Sequence, residues 1–289
     1  MRKRAVLIAG PTASGKSTLA LLKARELGGM VVNADALQVY DGLPIVTARP
    51  DDAEMAGVGH ALYGTVAPER RYSTGEWARD AAEIISAAGD MPLVFAGGTG
   101  LYFEALTTGF ADVPHVSKEA TAWAESEVRG LGREERQRLI AARDPQIAVR
   151  LKAPDPQRVI RALAVLRQTG RSLAWFQDQA TTGLLDGYEL ERLVLNPDRG
   201  VLRERIRARF LAMLELGAAD EVRDFLSRDL DPTLPAMKAI GLREIGDWLA
   251  GRIDSEAMID AAVTATRQYA KRQRTWFRGR MADWSWIES

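Results

Sequence analysis

The octet GPTASGKS places Gly10, Gly15, Lys16 and Ser17 in the spacing G-x-x-x-x-G-K-S, a set of residue types suited to holding phosphate. Glycines let the backbone approach an anion, successive N–H groups at a helix N-terminus bind it, lysine adds charge and the serine hydroxyl reaches Mg²⁺. The cradle is read as running through Gly10, Pro11, Thr12, Ala13, Ser14, Gly15, Lys16 and Ser17. The loop alone does not say whether its anion is a nucleoside triphosphate or another di- or polyphosphate. Two further strand ends bear on that. Asp35 follows the second apolar run and could ligate Mg²⁺ or accept a proton, or else cap a helix over ALQVY. The segment GGTG at 97–100 fits a site and an ordinary helix cap by Thr99 equally well, and the strand LVFAGG lacks the terminal Asp that an NTPase usually places there.

The elements that must position these groups follow from the pattern of apolar residues. Val6–Ala9 is a continuous apolar run ending in glycine, the mark of a parallel strand buried on both faces, and residues 16–27 then carry helix formers up to Gly28 and Gly29. A second run at 30–32 leads into NADALQVY, and a third, PLVFAGGTG, precedes the helical LYFEAL. Three βα units predict an α/β fold with a doubly wound parallel sheet of the phosphate-loop kind, its ligands bound beyond the carboxyl ends of the strands. Residues 112–186 turn charged and helix-rich before a strand-like RLVLN, so the expected organisation is a core of 1–111 with 187–289 and a helical insertion of 112–186. Ile206, Phe210, Met213 and Leu214 repeat as the core stripe of a helix.

Composition narrows the chemistry. With 46% hydrophobic residues the 289-residue chain fills an ordinary globular core, and 39 basic against 39 acidic side chains give no global attraction to a polyanion. Nucleic-acid contact must then come from local clustering. No cysteine excludes disulfides, thiolate nucleophiles and cysteine zinc sites, while two histidines, His60 and His115, are too few for a histidine metal site. A required metal is expected to be Mg²⁺ held by oxygens and by substrate phosphates. The apolar run after MRKR is too short for a signal peptide, and no stretch reaches the ~20 apolar residues of a membrane span, so a cytoplasmic protein without membrane contact is expected. Such clustering occurs near the C-terminus. Arg267, Lys271, Arg274 and Arg278 fall at i, i+4, i+7 and i+11, with no acid from Ala261 to Ala282. Solvated helix faces usually mix signs, whereas this one does not. Tyr269, Trp276 and Phe277 beside it are read as core before base-stacking platforms.

Taken in order, GPTASGKS, NADALQVYDGLPIVTARP, AGGTGLYFEAL, DPQRVIRAL and ATRQYAKRQRTWFRG resemble the tRNA dimethylallyltransferase family, from Gly10 to about Gly279. The resemblance implies transfer of a dimethylallyl group from dimethylallyl diphosphate to N6 of adenosine 37, beside the anticodon, in tRNAs reading codons that begin with U. It implies Mg²⁺, a tRNA anticodon stem-loop as partner and a monomer. Asp35 then matches the proton acceptor, with Lys16 and Thr99 at the reacting centre, Ser17 at the metal and Arg209 as a second diphosphate cation. Asp35, Ala36, Leu37 and Gln38, Thr99, Gln157, Arg158, Val159, Ile160 and Arg161, and Lys238, Gly241 and Arg243 match segments that touch tRNA, to which the stripe Arg267, Lys271, Arg274 and Arg278 is added. Two departures stand out: Ala36 where many relatives carry serine, and a single histidine near residue 60 where a pair is frequent. An isopentenyltransferase acting on free nucleotide, a small-molecule kinase and a nucleotide-gated RNA-binding switch would use the same loop.

Overall fold

The structure, a computed structural model, describes residues 3–111, 113, 114, 116–151, 154–179 and 181–288. Its described residues form two compact units, one of Met1–Thr107 with Leu184–Ser289 and the other of Thr108–Gly183. The expected boundary at residue 112 lies outside the described residues.

The first unit is built on six parallel strands, β1 (Arg4–Ala9), β2 (Met30–Asn33), β3 (His60–Ala61), β4 (Leu93–Gly97), β5 (Glu189–Leu195) and β6 (Ser285–Ile287), in the order β3-β2-β4-β1-β5-β6. Every residue of β1 after Arg4 and all of β4 are buried, as a sheet covered by helices on both faces requires. The central strands are the three apolar runs of the sequence, and RLVLN forms the carboxyl half of β5. The outer strands β3 and β6, two and three residues long, carry too few residues for an alternation to register. The expected helix over ALQVY is instead a turn, because Tyr40 leaves it to pair with Val66.

Behind β1 the phosphate-loop helix Lys16–Leu27 starts at Gly15, whose φ of 89° is left-handed, and ends at Gly28, also left-handed. Its first turn has no acidic side chain, so its free amides remain open to an anion. On the other side of the sheet end, Ile206, Phe210 and Met213 are buried in the helix Arg199–Glu215, with Leu214 at the edge of that stripe.

The second unit contains the helices Lys118–Val128, Arg133–Arg143, Pro145–Ala148, Pro156–Thr169 and Leu173–Gln177 around its own core, in which Ala124, Ile140, Val159 and Leu163 are fully buried. Asp155 starts the Pro156–Thr169 helix by accepting from the amides of Gln157 and Arg158, with Pro156 at the first helical position.

Close backbone approach fixes the β4 turn. A Cβ on Gly97 would lie 2.0 Å from both the carbonyl carbon and the carbonyl oxygen of Ala34, and one on Gly100 would lie 2.2 Å from the Trp276 ring. Gly97→Ala should therefore lower the free energy of unfolding by about 2–3 kcal/mol in urea titration. Gly75→Ala, whose added methyl would meet nothing nearer than the Ser73 hydroxyl at 3.8 Å, should change it by no more than about 1 kcal/mol.

Candidate active site

The carboxyl ends of β1, β2 and β4 bring three loops together. In the first, Ala13 and Gly15 both take positive φ, 63° and 89°, the kind of backbone from which anion-binding concavities are made. A left-handed alanine is a strained residue, of the kind that gathers at binding loops. Lys16 folds back so that Nζ donates to the Pro11 carbonyl at 2.9 Å. Burial is the largest influence on this ammonium and lowers its pKa to about 8, against the pull of Asp35 and with a further push from Arg209. Arg209 reaches the loop from the helix Arg199–Glu215 and donates through Nη2 to the Thr12 hydroxyl. Burial lowers its pKa as well, again opposed by Asp35.

In the second loop Asn33, fully buried, is the fastener. Its Nδ2 donates to the carbonyls of Asp35 and Leu62, and its Oδ1 accepts from the Asp35 amide at 2.8 Å. Asp35 divides its two oxygens between tasks: Oδ1 accepts from the Leu37 amide at 3.0 Å, while Oδ2 faces the Gly98 backbone of the third loop. Asp35 therefore caps a turn and not a helix, and its second oxygen takes no part in that cap. Thr99 closes the circuit, its amide donating to the Ala34 carbonyl at 3.1 Å and its Oγ1 accepting from the Ala36 amide at 2.9 Å. That bond uses the backbone of Ala36 and needs no hydroxyl there. The glycines of GGTG are explained by crowding against Ala34, Gln273 and Trp276.

Gln273 ties these loops together and was not among the residues expected from sequence. Only 5% exposed, it accepts from the Thr12 amide at 2.9 Å and donates to the Gly98 carbonyl at 3.0 Å. The signal was present, since Gln273 lies on the apolar face between Ala270 and Phe277 of the helix Ser255–Arg280, where a buried amide must be paired. Arg205, four residues before Arg209 on the same helix face, was also missed.

Two cavities meet over this arrangement. One of about 400 Å³ is floored by the phosphate loop, with Lys16, Arg205 and Arg209 facing Asp35 and Glu54. The other, about 60 Å³, has Leu37, Val46, Ile206, Phe210, Met213 and Ile240 on its apolar side and Thr12, Asp35, Thr47, Arg209, Thr266 and Tyr269 on its polar side. Thr12, Asp35, Thr47 and Arg209 line both, so a carboxylate and a cation stand where the charged and apolar ends join. Tyr269 lines the smaller cavity, whereas Phe277 is core and Trp276 packs on Gly100.

The remaining expected residues sort by exposure. Gln38 spends its Nε2 on the carbonyls of Thr47 and Ala48, and Leu37 lines the apolar cavity. Lys238 and Arg243 are exposed, Arg243 lying 3.8 Å from Asp247, while Gly241 is buried with φ 103° against Val46. In the helical unit Gln157, Arg158 and Arg161 are exposed, but Val159 is fully buried and Ile160 packs on the same core, so their side chains are structural. Arg267, Lys271 and Arg278 are exposed on one helix with no ion pair among the described residues, and the pKa of Arg274 is lowered by burial, then by Arg278 and Arg199.

The family model described as IPP transferase matches residues 38–280. The chain belongs to the IPP transferase family. A protein of Chelativorans sp. (strain BNC1) named tRNA dimethylallyltransferase is 47% identical over 98% of both chains, and one of the same name from Sinorhizobium medicae (strain WSM419) is 46% identical over 99% of this chain and 94% of its own. Among solved structures, the full-length tRNA isopentenylpyrophosphate transferase of Bacillus halodurans superposes with TM-score 0.70 at 31% identity, covering 99% of this chain and 90% of that one. A eukaryotic dimethylallyltransferase described as acting on tRNA gives TM-score 0.83 at 26% identity, over 99% of this chain and 74% of its own.

The depressed lysine has a measurable consequence. An anion in the loop needs Lys16 charged, and the free protein loses that charge as pH rises through about 8. Affinity for inorganic pyrophosphate, measured by calorimetry, should therefore fall above that pH by up to about tenfold per pH unit relative to Lys16→Ala, which binds weakly without that inflection. In the free protein the same group contributes stability that rises with pH from about 8 to 10.5, where only the unfolded chain holds the proton.

Proposed function

We propose that this prenyltransferase moves the dimethylallyl group of dimethylallyl diphosphate onto N6 of adenosine 37, beside the anticodon, in tRNAs reading codons that begin with U. The observation that carries the reading is the joined cavity. Its charged chamber suits a diphosphate, the apolar side of its smaller end, formed by Leu37, Val46, Ile206, Phe210, Met213 and Ile240, suits a short hydrocarbon, and Asp35 stands at the junction where the carbon between them would be attacked.

The chemistry follows from these groups. Adenine N6 is a weak nucleophile because its lone pair is delocalised into the ring, so a base placed at the amine matters. As the new N6–carbon bond forms, the bond from that carbon to the diphosphate oxygen breaks and a proton passes from N6 to Asp35. Asp35 keeps one oxygen on the Leu37 amide, which fixes the carboxylate plane and leaves the other oxygen for the proton. Thr99, its hydroxyl already accepting from Ala36, retains its own proton to donate toward the reacting centre. The negative charge leaving with the diphosphate is met by Lys16, Arg209 and the amides of the loop.

The described residues include no group of three or more His, Cys, Asp or Glu side chains that could hold a metal by itself. Mg²⁺ is usually bound through few protein oxygens together with phosphate, and the exposed Ser17 hydroxyl at the start of the loop helix fits that mode. Held by Ser17 and the donor's phosphates, Mg²⁺ would supply neutralising charge for the leaving group.

For the acceptor, the stripe Arg267, Lys271, Arg274 and Arg278 suits a phosphate backbone, with Lys238, Arg243 and the exposed Gln157, Arg158 and Arg161 as further contacts. Arg278 and Arg199 repel Arg274 while Asp198 attracts it, so a phosphate would add to a partly balanced cluster. The target base must leave its stack, which costs a few kcal/mol and favours a loop over a duplex. No described helix is long and apolar enough to cross a membrane, and the chain is read as a cytoplasmic monomer.

Asp35→Asn keeps the acceptor for the Leu37 amide but loses the base. Single-turnover transfer to an anticodon stem-loop should slow by about 10²–10⁴-fold while pyrophosphate affinity changes by less than about threefold. Wild-type rates would remove Asp35 as proton acceptor. For RNA, titrations at several salt concentrations should show the log–log slope of affinity reduced by roughly 0.7–0.9 per lost contact in the Arg274→Gln, Arg278→Gln double variant, with pyrophosphate binding unaltered.

A further inference from the structure

Between Leu43 and Arg49 the chain makes a single helical turn. The amides of Thr47, Ala48 and Arg49 donate back to the carbonyls of Leu43, Ile45 and Pro44, at 3.2, 2.9 and 2.9 Å. So short a segment leaves its first amides and last carbonyls without partners inside the turn. Both ends are satisfied from elsewhere. At the start, the Glu221 carboxylate accepts from Ile45 N at 2.7 Å with Oε1 and from Val46 N at 2.8 Å with Oε2, across 176 and 175 residues of sequence. At the end, Gln38 Nε2 donates to the carbonyls of Thr47 and Ala48. Pro44, which has no amide to satisfy, occupies the first position of the turn.

A carboxylate is the one side chain with two acceptor oxygens spaced for two successive amides; an amide group there would turn a donor against a donor. Glu221 is half-buried, and burial, its largest influence, raises its pKa while the two amides and Arg49 pull it down. What this arrangement holds is the wall of the apolar cavity. Val46, 8% exposed, and Thr47 both line it, and Val46 also packs on Gly241.

We infer that Glu221 is a positioning residue for donor selection, fixing the Leu43–Arg49 turn so that Val46 closes the apolar end behind a five-carbon chain. The inference rests on the proposal that this cavity takes an allylic diphosphate. Glu221 touches no substrate; it acts through the backbone of Ile45 and Val46.

The test compares wild type, Glu221→Gln and Val46→Ala in steady-state transfer to an anticodon stem-loop, with dimethylallyl diphosphate and with geranyl diphosphate, and uses inorganic pyrophosphate as a competitive inhibitor. For Glu221→Gln, KM for dimethylallyl diphosphate should rise about tenfold and the kcat/KM preference for the five-carbon donor should fall at least about tenfold, the range a hydrocarbon pocket commands. The inhibition constant of pyrophosphate, which uses the loop alone, should stay within about threefold. Val46→Ala should erode the same preference without disturbing the carboxylate. Unchanged donor preference in Glu221→Gln, with only the melting temperature lowered, would make the residue a structural fastener and overturn the inference. Should Glu221→Gln not fold, unchanged preference in Val46→Ala would overturn it instead. Failure of the underlying reading has a different signature: wild-type protein would neither transfer from dimethylallyl diphosphate nor be inhibited by pyrophosphate.

Discussion

Two cations, Lys16 and Arg209, stand over one phosphate loop with most of their hydration removed, and both sit below their ordinary pKa because burial disfavours the charged form. Each is attracted to Asp35, but with Arg205 and Glu54 also lining the chamber, three cations face two carboxylates. The free site is therefore electrostatically unfinished. An anion with two or more negative charges completes it, and the desolvation already present makes each contact stronger than it would be in water. The rest of the first unit is arranged so that these charges stay together while remaining open on one side.

That arrangement is achieved by side chains reaching across to backbone. Asn33 binds the Asp35 turn, Thr99 binds Ala36, Gln273 binds Thr12 and Gly98, and Glu221 and Gln38 bind opposite ends of the Leu43–Arg49 turn. Sheet pairing holds β1, β2 and β4 but stops where the loops begin. Beyond that edge an unpaired backbone group must find a side chain or water, so each loop conformation depends on a few long-range bonds. The shape of the site thus rests on residues that contact no substrate.

How far the sequence discloses this differs by element. The phosphate loop and the three central strands were readable because their constraints are local: a glycine spacing, a buried apolar run, a helix stop. Asp35 was found by its place after β2, and Arg209 through likeness to a family. Gln273 and Glu221 left only weak traces, since a glutamine within an apolar helix face and an acid in the first turn of a helix each have common explanations that involve no site. Their partners lie 261 and 176 residues away, a separation that periodicity does not encode. β3 and β6 escaped because an edge strand of two or three residues shows no period. Val159 and Ile160 show the opposite error, where a segment matched as a whole includes residues that face inward.

The helix Ser255–Arg280 has a consequence for how the protein comes into being. The phosphate loop is made well before the helix Ser255–Arg280, and domains tend to form in the order of synthesis. Yet the Thr12 amide and the Gly98 carbonyl wait for Gln273, in the last helix of the chain, and β5 and β6 join the sheet only after the helical unit has been made. A nascent chain thus carries a phosphate-loop sequence long before it carries a phosphate site. Until Gln273 has been made, the Thr12 amide and the Gly98 carbonyl lack the partner that joins their loops.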